Sequence, residues 1–260
     1  MATIITCNTN GIRAAARKGF FAWLEQQNAD VVCIQETRAQ EHQLADPQFC
    51  PAGYHCYYND AVRPGYSGTA LYSRVLPRSV NTRLGWESAD TEGRYLQADF
   101  GGLSVISLYM PSGSSSEQAQ AKKFDFLARF FEHLRNLRRK RREYIICADW
   151  NICHRPIDLK NWKANQKNSG FLPEERAWLD QVYDELGYRD SFRLVNPEPD
   201  QYTWWSNRGQ AWAKNVGWRL DYQVITPRLA SAVKCAEIYT AERFSDHAPQ
   251  IMHYDFDILE

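Results

Sequence analysis

The sequence lacks an excess of charge of either sign: 31 Lys and Arg balance 31 Asp and Glu. That excludes a chain that holds nucleic acid through overall positive charge, though not one with a local basic patch. It also lacks any apolar run near the roughly 20 residues that cross a bilayer. The N-terminal MATIITCNTNGIRAAARKG has neither the apolar stretch nor the small-residue cleavage site of a secretory leader. A cytoplasmic protein with no membrane partner is expected. No Pro-, Gly- or Ser-rich linker divides the chain and no short repeat recurs; SGSSS at 112–116 is a small polar loop. One domain over residues 1–260 is expected, long enough to bury a substantial core. The cysteines are odd in number and form no CxxC pair, and no ligand cluster suggests zinc; free, buried, reduced thiols are expected.

What is present is a series of strand-length apolar runs. They are Ile4–Cys7, Val31–Ile34, Thr69–Tyr72, Tyr95–Ala98, Leu103–Tyr109, Tyr144–Ala148, Leu220–Ile225 and Ile251–Tyr254. Helical spacing appears between them. Ala14–Gln27 brings Phe20, Phe21, Trp23 and Leu24 near one face. Ser116–Arg139 aligns Phe124, Leu127, Phe130, Phe131, Leu134 and Leu137. Pro173–Leu186 has a first-turn proline, with Gly187 just past its end. Strands interleaved with helices predict an α/β or α+β sandwich. A loose echo between IITCNTN and YIICADWN hints at two related halves.

Polar residues follow these strands. Asn8 and Asn10 follow the first and Glu36 the second, and Tyr109 lies in SLYMPSG. Asp149 and Asn151 end YIICADWN, Asp221 opens a later strand, and Asp246 and His247 precede the last one. Taken singly, an Asp or Asn after a strand is most often a turn or cap residue. Strands ending on one rim would gather the set into an oxygen-rich site suited to Mg²⁺ or Mn²⁺. Carboxylates beyond the one or two that Mg²⁺ takes would orient the histidine or align a water, as metal-assisted phosphodiester hydrolysis requires. The run RRKRR at 138–142 closes a long helix and is expected to be a solvated helix end.

The segments CNTNGIR, CIQET, GYSGTALYS, EGRYLQADF, LYMPSG, ADWN, NQKNSGFLPEER, YTWWS, GWRLDYQ and FSDHAP, in this order, resemble the exonuclease III family of apurinic/apyrimidinic endonucleases. The resemblance runs from about Ile4 to Tyr254. It implies a four-layer α/β sandwich, two packed mixed sheets flanked by helices, as in DNase I. It implies Glu36 as principal metal ligand, with Asn8, Asn10 and Asp246 in the metal neighbourhood; Asn10 departs from the aspartate common there. It implies Asp149 as the residue acting on the attacking water, and Asn151, Tyr109 and His247 at the phosphate, with Asp221 as the carboxylate partner of His247. Asn165 and Asn168 match DNA-contacting asparagines, and Trp204, Trp218 and Leu220 match an abasic-sugar pocket. Arg208 lies in a loop that resembles one entering the duplex groove. The implied protein is a monomeric, Mg²⁺-dependent repair nuclease acting on damaged double-stranded DNA. It would cut 5′ to abasic sites, with 3′-phosphodiesterase and 3′→5′ exonuclease activity. The segments RRKRREYI, ERAWLD and GRYLQADF also resemble the catabolite repression control proteins, RNA-associated translational regulators that have lost catalytic residues. Retention of Glu36, Asp149, Asn151, Asp221, Asp246 and His247 favours the nuclease.

Overall fold

A computed structural model describes residues 1–258. Two mixed six-stranded sheets carry the fold. The first contains β1 (Ala2–Asn8), β2 (Val31–Gln35), β3 (His55–Asn59), β4 (Thr69–Ser73), β13 (Val233–Ile238) and β14 (Gln250–Tyr254), in the order β13-β14-β1-β2-β4-β3. The second contains β5 (Ser79–Asn81), β6 (Tyr95–Phe100), β7 (Leu103–Tyr109), β8 (Glu143–Asp149), β9 (Arg189–Asp190) and β12 (Asp221–Ile225), in the order β5-β6-β7-β8-β12-β9. A two-stranded ribbon pairs β10 (Trp204–Trp205) with β11 (Gly217–Trp218).

Side-chain alternation builds three apolar layers from these strands. Ile4, Val31, Cys33 and Leu71 of the first sheet meet Leu96, Val105, Ile145 and Cys147 of the second. Their neighbours Ile5, Val32, Ile34 and Tyr72 point the other way, onto Phe20, Phe21, Trp23 and Leu24. On the far side, Ile106, Tyr144, Ile146 and Tyr222 face the helices Glu117–Arg138 and Pro173–Asp184. The result is helix, sheet, sheet, helix: the four-layer sandwich. Burial on both faces is why the central strands are nearly continuous apolar runs.

Three details depart from expectation. The helix expected over 14–27 is two, Ile12–Arg17 and Phe20–Gln27, broken at Gly19, whose φ of 89° is left-handed. In the long helix Phe124 is exposed and Phe126 is buried in its place, because the buried stripe follows Lys123, Phe126, Leu127, Phe130 and Leu134. Not all seven cysteines are free and buried: Cys50 and Cys56 form a disulfide across a Cα separation of 5.9 Å, and Cys235 is exposed. Cys50 lies on the loop that leads into β3, so the turn of chain at 51–54 brings it back beside Cys56 on that strand. The basic run behaves as expected of a helix end. Two of its arginines also serve the framework: Arg142 donates to the carbonyls of Phe100, Gly101 and Leu103, and Arg138 to that of Leu186. Among the described residues no helix is long and apolar enough to cross a membrane.

Candidate active site

Strand register gathers the expected residues. β7 and β8 run parallel with Tyr109 opposite Asp149, and β8 and β12 run antiparallel with Asp149 opposite Asp221. Tyr109, Asp149 and Asp221 thus form a row across three adjacent strands of the second sheet. The first sheet ends at the same rim, where β1 and β2 place Asn8 opposite Gln35, one residue before Glu36. Asn8 joins the sheets: its Nδ2 donates to Glu36 Oε2 and to Asp149 Oδ2, both at 2.9 Å. The two echoing strands therefore meet at their tips.

Several of these residues adopt left-handed backbone. Asn10, Glu36, Arg38 and Asn151 have φ of 44°, 57°, 48° and 51°. Non-glycine residues enter this region at a cost, so surrounding contacts must hold them there. The carbonyl of Glu36 accepts from Gly11 N at 2.8 Å, Arg38 N donates to Ser67 O at 2.8 Å, and the carbonyl of Asn151 accepts from Lys123 Nζ at 2.8 Å.

At the base of the site His247 Nδ1 lies 2.8 Å from Asp221 Oδ2, and its Nε2 lies 3.9 Å from Asp149 Oδ2. The hydroxyl of Thr203 donates to Asp221 Oδ2 at 2.6 Å and accepts from the backbone N–H groups of Leu220 and Asp221, each at 3.0 Å. Asp149 accepts at Oδ1 from Asn151 N at 2.9 Å. Burial and the charge of Asp221 raise the Asp149 pKa to about 7, against the pull of His247 and of donors from Asn151 and Asn8. Burial disfavours the His247 cation, but Asp221, Asp149 and Asp246 together outweigh it and hold the imidazolium to about pH 10. Asp246 is also penalised by burial. His247 and donors from Asn10 and Trp204 overcome that and hold its carboxyl below the usual range. Around the His247 cation, Asp149 is thus pushed up and Asp246 held down, by different surroundings of the same kind of group.

The cleft above this base is about 820 Å³ and is lined by Asn10, Glu36, Tyr109, Asp149, Asn151 and Asn168, with Trp204, Trp218, Leu220, Asp246 and His247 opposite. The paired tryptophans meet edge to face at 6.2 Å, and Phe171 and Leu159 pack behind them with Leu220. Asn8 and Asp221 lie beneath the cleft, fully buried. Two expected residues are not brought in. The side chain of Asn165 caps Asn161 O at 2.8 Å and accepts from Asn168 Nδ2 at 2.7 Å, outside the cleft wall. Arg208 sits on the exposed loop between the two strands of the tryptophan ribbon.

The oxygen donors suit a hard divalent cation: carboxylates and amide oxygens. Asp149, Asp221 and His247 bring ligand-capable atoms within 4.8 Å of one another, and the buried Asp221 Oδ1 has no hydrogen-bond partner among the described residues. Glu36 supplies a further carboxylate at the mouth, held by Arg38 Nε at 2.9 Å. Both ends of the Asn8 amide are committed, since its Oδ1 accepts from Asn10 N at 2.8 Å, so in this arrangement it orders carboxylates.

Sequence reasoning passed over four contributors. Thr203 gave no signal beyond lying in YTWWS, and Arg38, one residue past CIQET, gave none. Arg94, nearly buried, stacks on the Tyr109 ring at 5.0 Å and donates to its carbonyl at 2.9 Å. Lys123 did leave a trace: a charged residue on the apolar stripe of a helix.

A four-layer sandwich with an acidic, histidine-bearing cleft at the shared rim of both sheets defines the class to which this chain belongs. Residues 5–247 match the Endonuclease/Exonuclease/phosphatase family. Within it the chain belongs to the exonuclease III/AP endonuclease family of nucleases. It is 38% identical over 248 residues to an exodeoxyribonuclease of Bacillus subtilis, covering 95% of this chain and 96% of the relative. It is 35% identical over 249 residues to the DNA repair nuclease APEX1 of Danio rerio, covering 95% and 80%. The solved AP endonuclease of Archaeoglobus fulgidus superposes with a TM-score of 0.90 at 27% identity, covering 98% of this chain and all of that one. A 3′ phosphatase of Neisseria, solved with a product DNA hairpin, gives a TM-score of 0.89 at 26% identity, covering 98% and 100%.

Proposed function

We propose that this chain is a Mg²⁺- or Mn²⁺-dependent DNA repair nuclease that hydrolyses the phosphodiester 5′ to an abasic site in duplex DNA. The same site would act at 3′ ends. One observation carries the reading: the Asp149–His247 pair, 3.9 Å apart, opens into the same cleft as the apolar Trp204–Trp218–Leu220 wall. A flipped sugar without a base fits such a wall where a full nucleotide clashes, and unstacking costs less at a damaged position.

In this reading Asp149 accepts a proton from, or aligns, the attacking water. Its oxygens are fixed by Asn8 and Asn151, so little reorganisation is needed at the moment of reaction. His247, cationic at neutral pH through Asp221, places positive charge where a phosphate oxygen gains negative charge. Asn151 and the Tyr109 hydroxyl serve as uncharged donors to the phosphate, and Arg94 holds the Tyr109 ring from behind. Glu36, with Asp246 and Asn10 nearby, would hold the cation, which supplies Lewis-acid stabilisation of phosphate charge. Asn168 would meet the DNA backbone from the lip of the cleft, with Asn165 behind it; Arg208, outside the cleft, would meet it from its exposed loop.

The test is cleavage of a duplex bearing one tetrahydrofuran abasic analogue, run with Mg²⁺, with EDTA and with Asp149→Asn. Incision 5′ to the lesion that needs both the cation and Asp149 is expected. Trimming of recessed 3′ ends without incision would restrict the function to 3′ ends. Silence on every DNA substrate would overturn the nuclease reading and favour the RNA-associated regulator.

A further inference from the structure

The site rests on an ion pair that neither the expected chemistry nor the expected residues include. Lys123 and Glu175 have no solvent-exposed side-chain surface, and Lys123 Nζ lies 2.5 Å from Glu175 Oε1. Removing two charges from water is expensive, and such a pair is often replaceable by apolar residues at no loss of stability. Its retention calls for another explanation, and its contacts supply one. The ammonium donates its second hydrogen bond, at 2.8 Å, to the carbonyl of Asn151. That residue stands in left-handed backbone and donates from its own N–H to Asp149 Oδ1 at 2.9 Å. The carboxylate grips the adjoining turn of the cleft wall: Glu175 Oε2 accepts from Gly170 N at 2.6 Å and from Leu172 N at 3.1 Å. Its Oε1 also accepts from Gln120 Nε2 at 3.1 Å. The two segments are close-packed on each other. Cys153 N donates to Gly170 O at 2.7 Å, and a Cβ on Gly170 would stand 3.2 Å from Asn151 O and 3.3 Å from the Trp218 ring.

We propose that Lys123 and Glu175 are positioning residues for the reaction: one buried pair sets the Asn151 carbonyl and the 168–172 turn relative to each other. Through them it sets the distance between Asp149 and the wall that receives the sugar. Neither touches substrate. They act through Asn151 on one side and Gly170 on the other. The pair ties the helix Glu117–Arg138 to the helix Pro173–Asp184, and beyond that it gives bonds to three backbone groups of the cleft, Asn151 O, Gly170 N and Leu172 N, which packing in the core alone would not require.

The inference rests on the nuclease reading, so its test has one arm that needs no catalysis. In Lys123→Met/Glu175→Gln both charges go together, which leaves neither stranded, and a melting temperature close to the parent is expected. Amide exchange at Gly170 and Leu172, measured without substrate, should quicken about tenfold relative to core strands, because a neutral amide oxygen holds the two N–H groups more weakly than the carboxylate does. With the abasic duplex, kcat should fall about 10- to 100-fold with KM changed less than about threefold, as misplacement of order 1 Å predicts. Glu175→Asp keeps the charge pair while drawing the carboxylate back from the two amides, and should show the same split in milder form. It keeps the test open should the double variant not fold. Parent kcat and parent exchange in a folded variant would overturn the proposal. So would a kcat loss that merely tracks melting temperature across variants. A parent protein that cuts no DNA would sink the nuclease reading and leave the exchange arm to judge the pair.

Discussion

Thr203→Val isolates the support beneath His247, because it keeps shape and removes one oxygen. That oxygen makes three hydrogen bonds in a fully buried setting: one given to Asp221 Oδ2 at 2.6 Å and one accepted from each of the Leu220 and Asp221 N–H groups. Valine leaves two buried donors without acceptors, each a cost of about 1–3 kcal/mol, and deletes a charge-assisted bond worth about 1.5–3 kcal/mol. These terms overlap, since the freed groups relax together, so about 3 kcal/mol is the working total. For a chain of this length that is a fall in melting temperature of about 6–12 °C. The Asp221 carboxylate also loses one of the two groups that fix Oδ2, the other being His247, so the imidazole gains freedom against Asp149. A drop in kcat of about tenfold follows if aim matters as argued. Thermal unfolding in EDTA, paired with single-turnover cleavage of the abasic duplex, reads both quantities. Thr203→Ser keeps the oxygen and should recover most of each. A valine variant melting within about 2 °C of the parent, or a serine variant as impaired as valine, would refute the reasoning.

Asp149→Asn should lose at least about two orders of magnitude in turnover while still binding DNA. In EDTA at pH 8 it should also melt higher than the parent. Burial and Asp221 raise the parent carboxyl to about 7, so stability present below its ordinary pKa of 3.8 is lost as pH rises through 7; a lower melting point would contradict that sign. His133, stacked on Phe130 with its Nε2 unpartnered among the described residues, is lowered from 6.5 to about 4 by burial and by Lys140. Its contribution is therefore complete above pH 6.5 and is lost as pH falls toward 4, by about 3 kcal/mol at pH 4. His133→Leu should flatten the acid limb of a urea-denaturation series, and an unchanged limb would remove His133 from the account. DNA affinity should fall as salt rises, with a log–log slope of about −0.9 per phosphate neutralised; a salt-independent dissociation constant would exclude a backbone footprint.

The strands that sequence reasoning found are the ones buried on both faces. β1, β2, β4, β6, β7, β8, β12 and β14 are interior to their sheets and read as apolar runs. Those it passed over in the sheets, β3, β5, β9 and β13, are the four sheet edges. Half their residues face solvent, and β13 alternates as Val-Lys-Cys-Ala-Glu-Ile with a register shift, so no run or clean period survives. The site was legible for a related reason: polar residues directly after buried strands stand out against the run before them. Thr203 and Arg94 were not legible, because their partners lie 18 and 15 residues away and only the fold supplies the contact. The disulfide was missed because an odd cysteine count says nothing about which loop returns to which strand.

The site draws on two sheets, which raises the question of what keeps them in step. Apolar contact between sheets is non-directional and tolerates sliding. A shift of one residue would carry Glu36 away from Asp149 and break the Asn8 bridge between them. The inter-sheet layer is not wholly apolar, however. Gln35, the residue before Glu36, donates across it to Ser107 Oγ at 3.1 Å and to Cys147 O at 3.3 Å, and accepts from Thr6 Oγ1 at 3.1 Å. Ser107 Oγ in turn donates to Ile34 O at 3.1 Å, and Gln223 Nε2 reaches Ile4 O at 2.9 Å. Apart from the Thr6–Gln35 bond, which lies within the first sheet and fixes the Gln35 amide, each joins a strand of one half of the site to a strand of the other. Buried and satisfied, they fix a single register that apolar packing alone would leave degenerate. The polar seam therefore belongs to the same argument as the carboxylates: the spacing between Glu36 and Asp149 is set a few residues deeper, where the sheets are pinned.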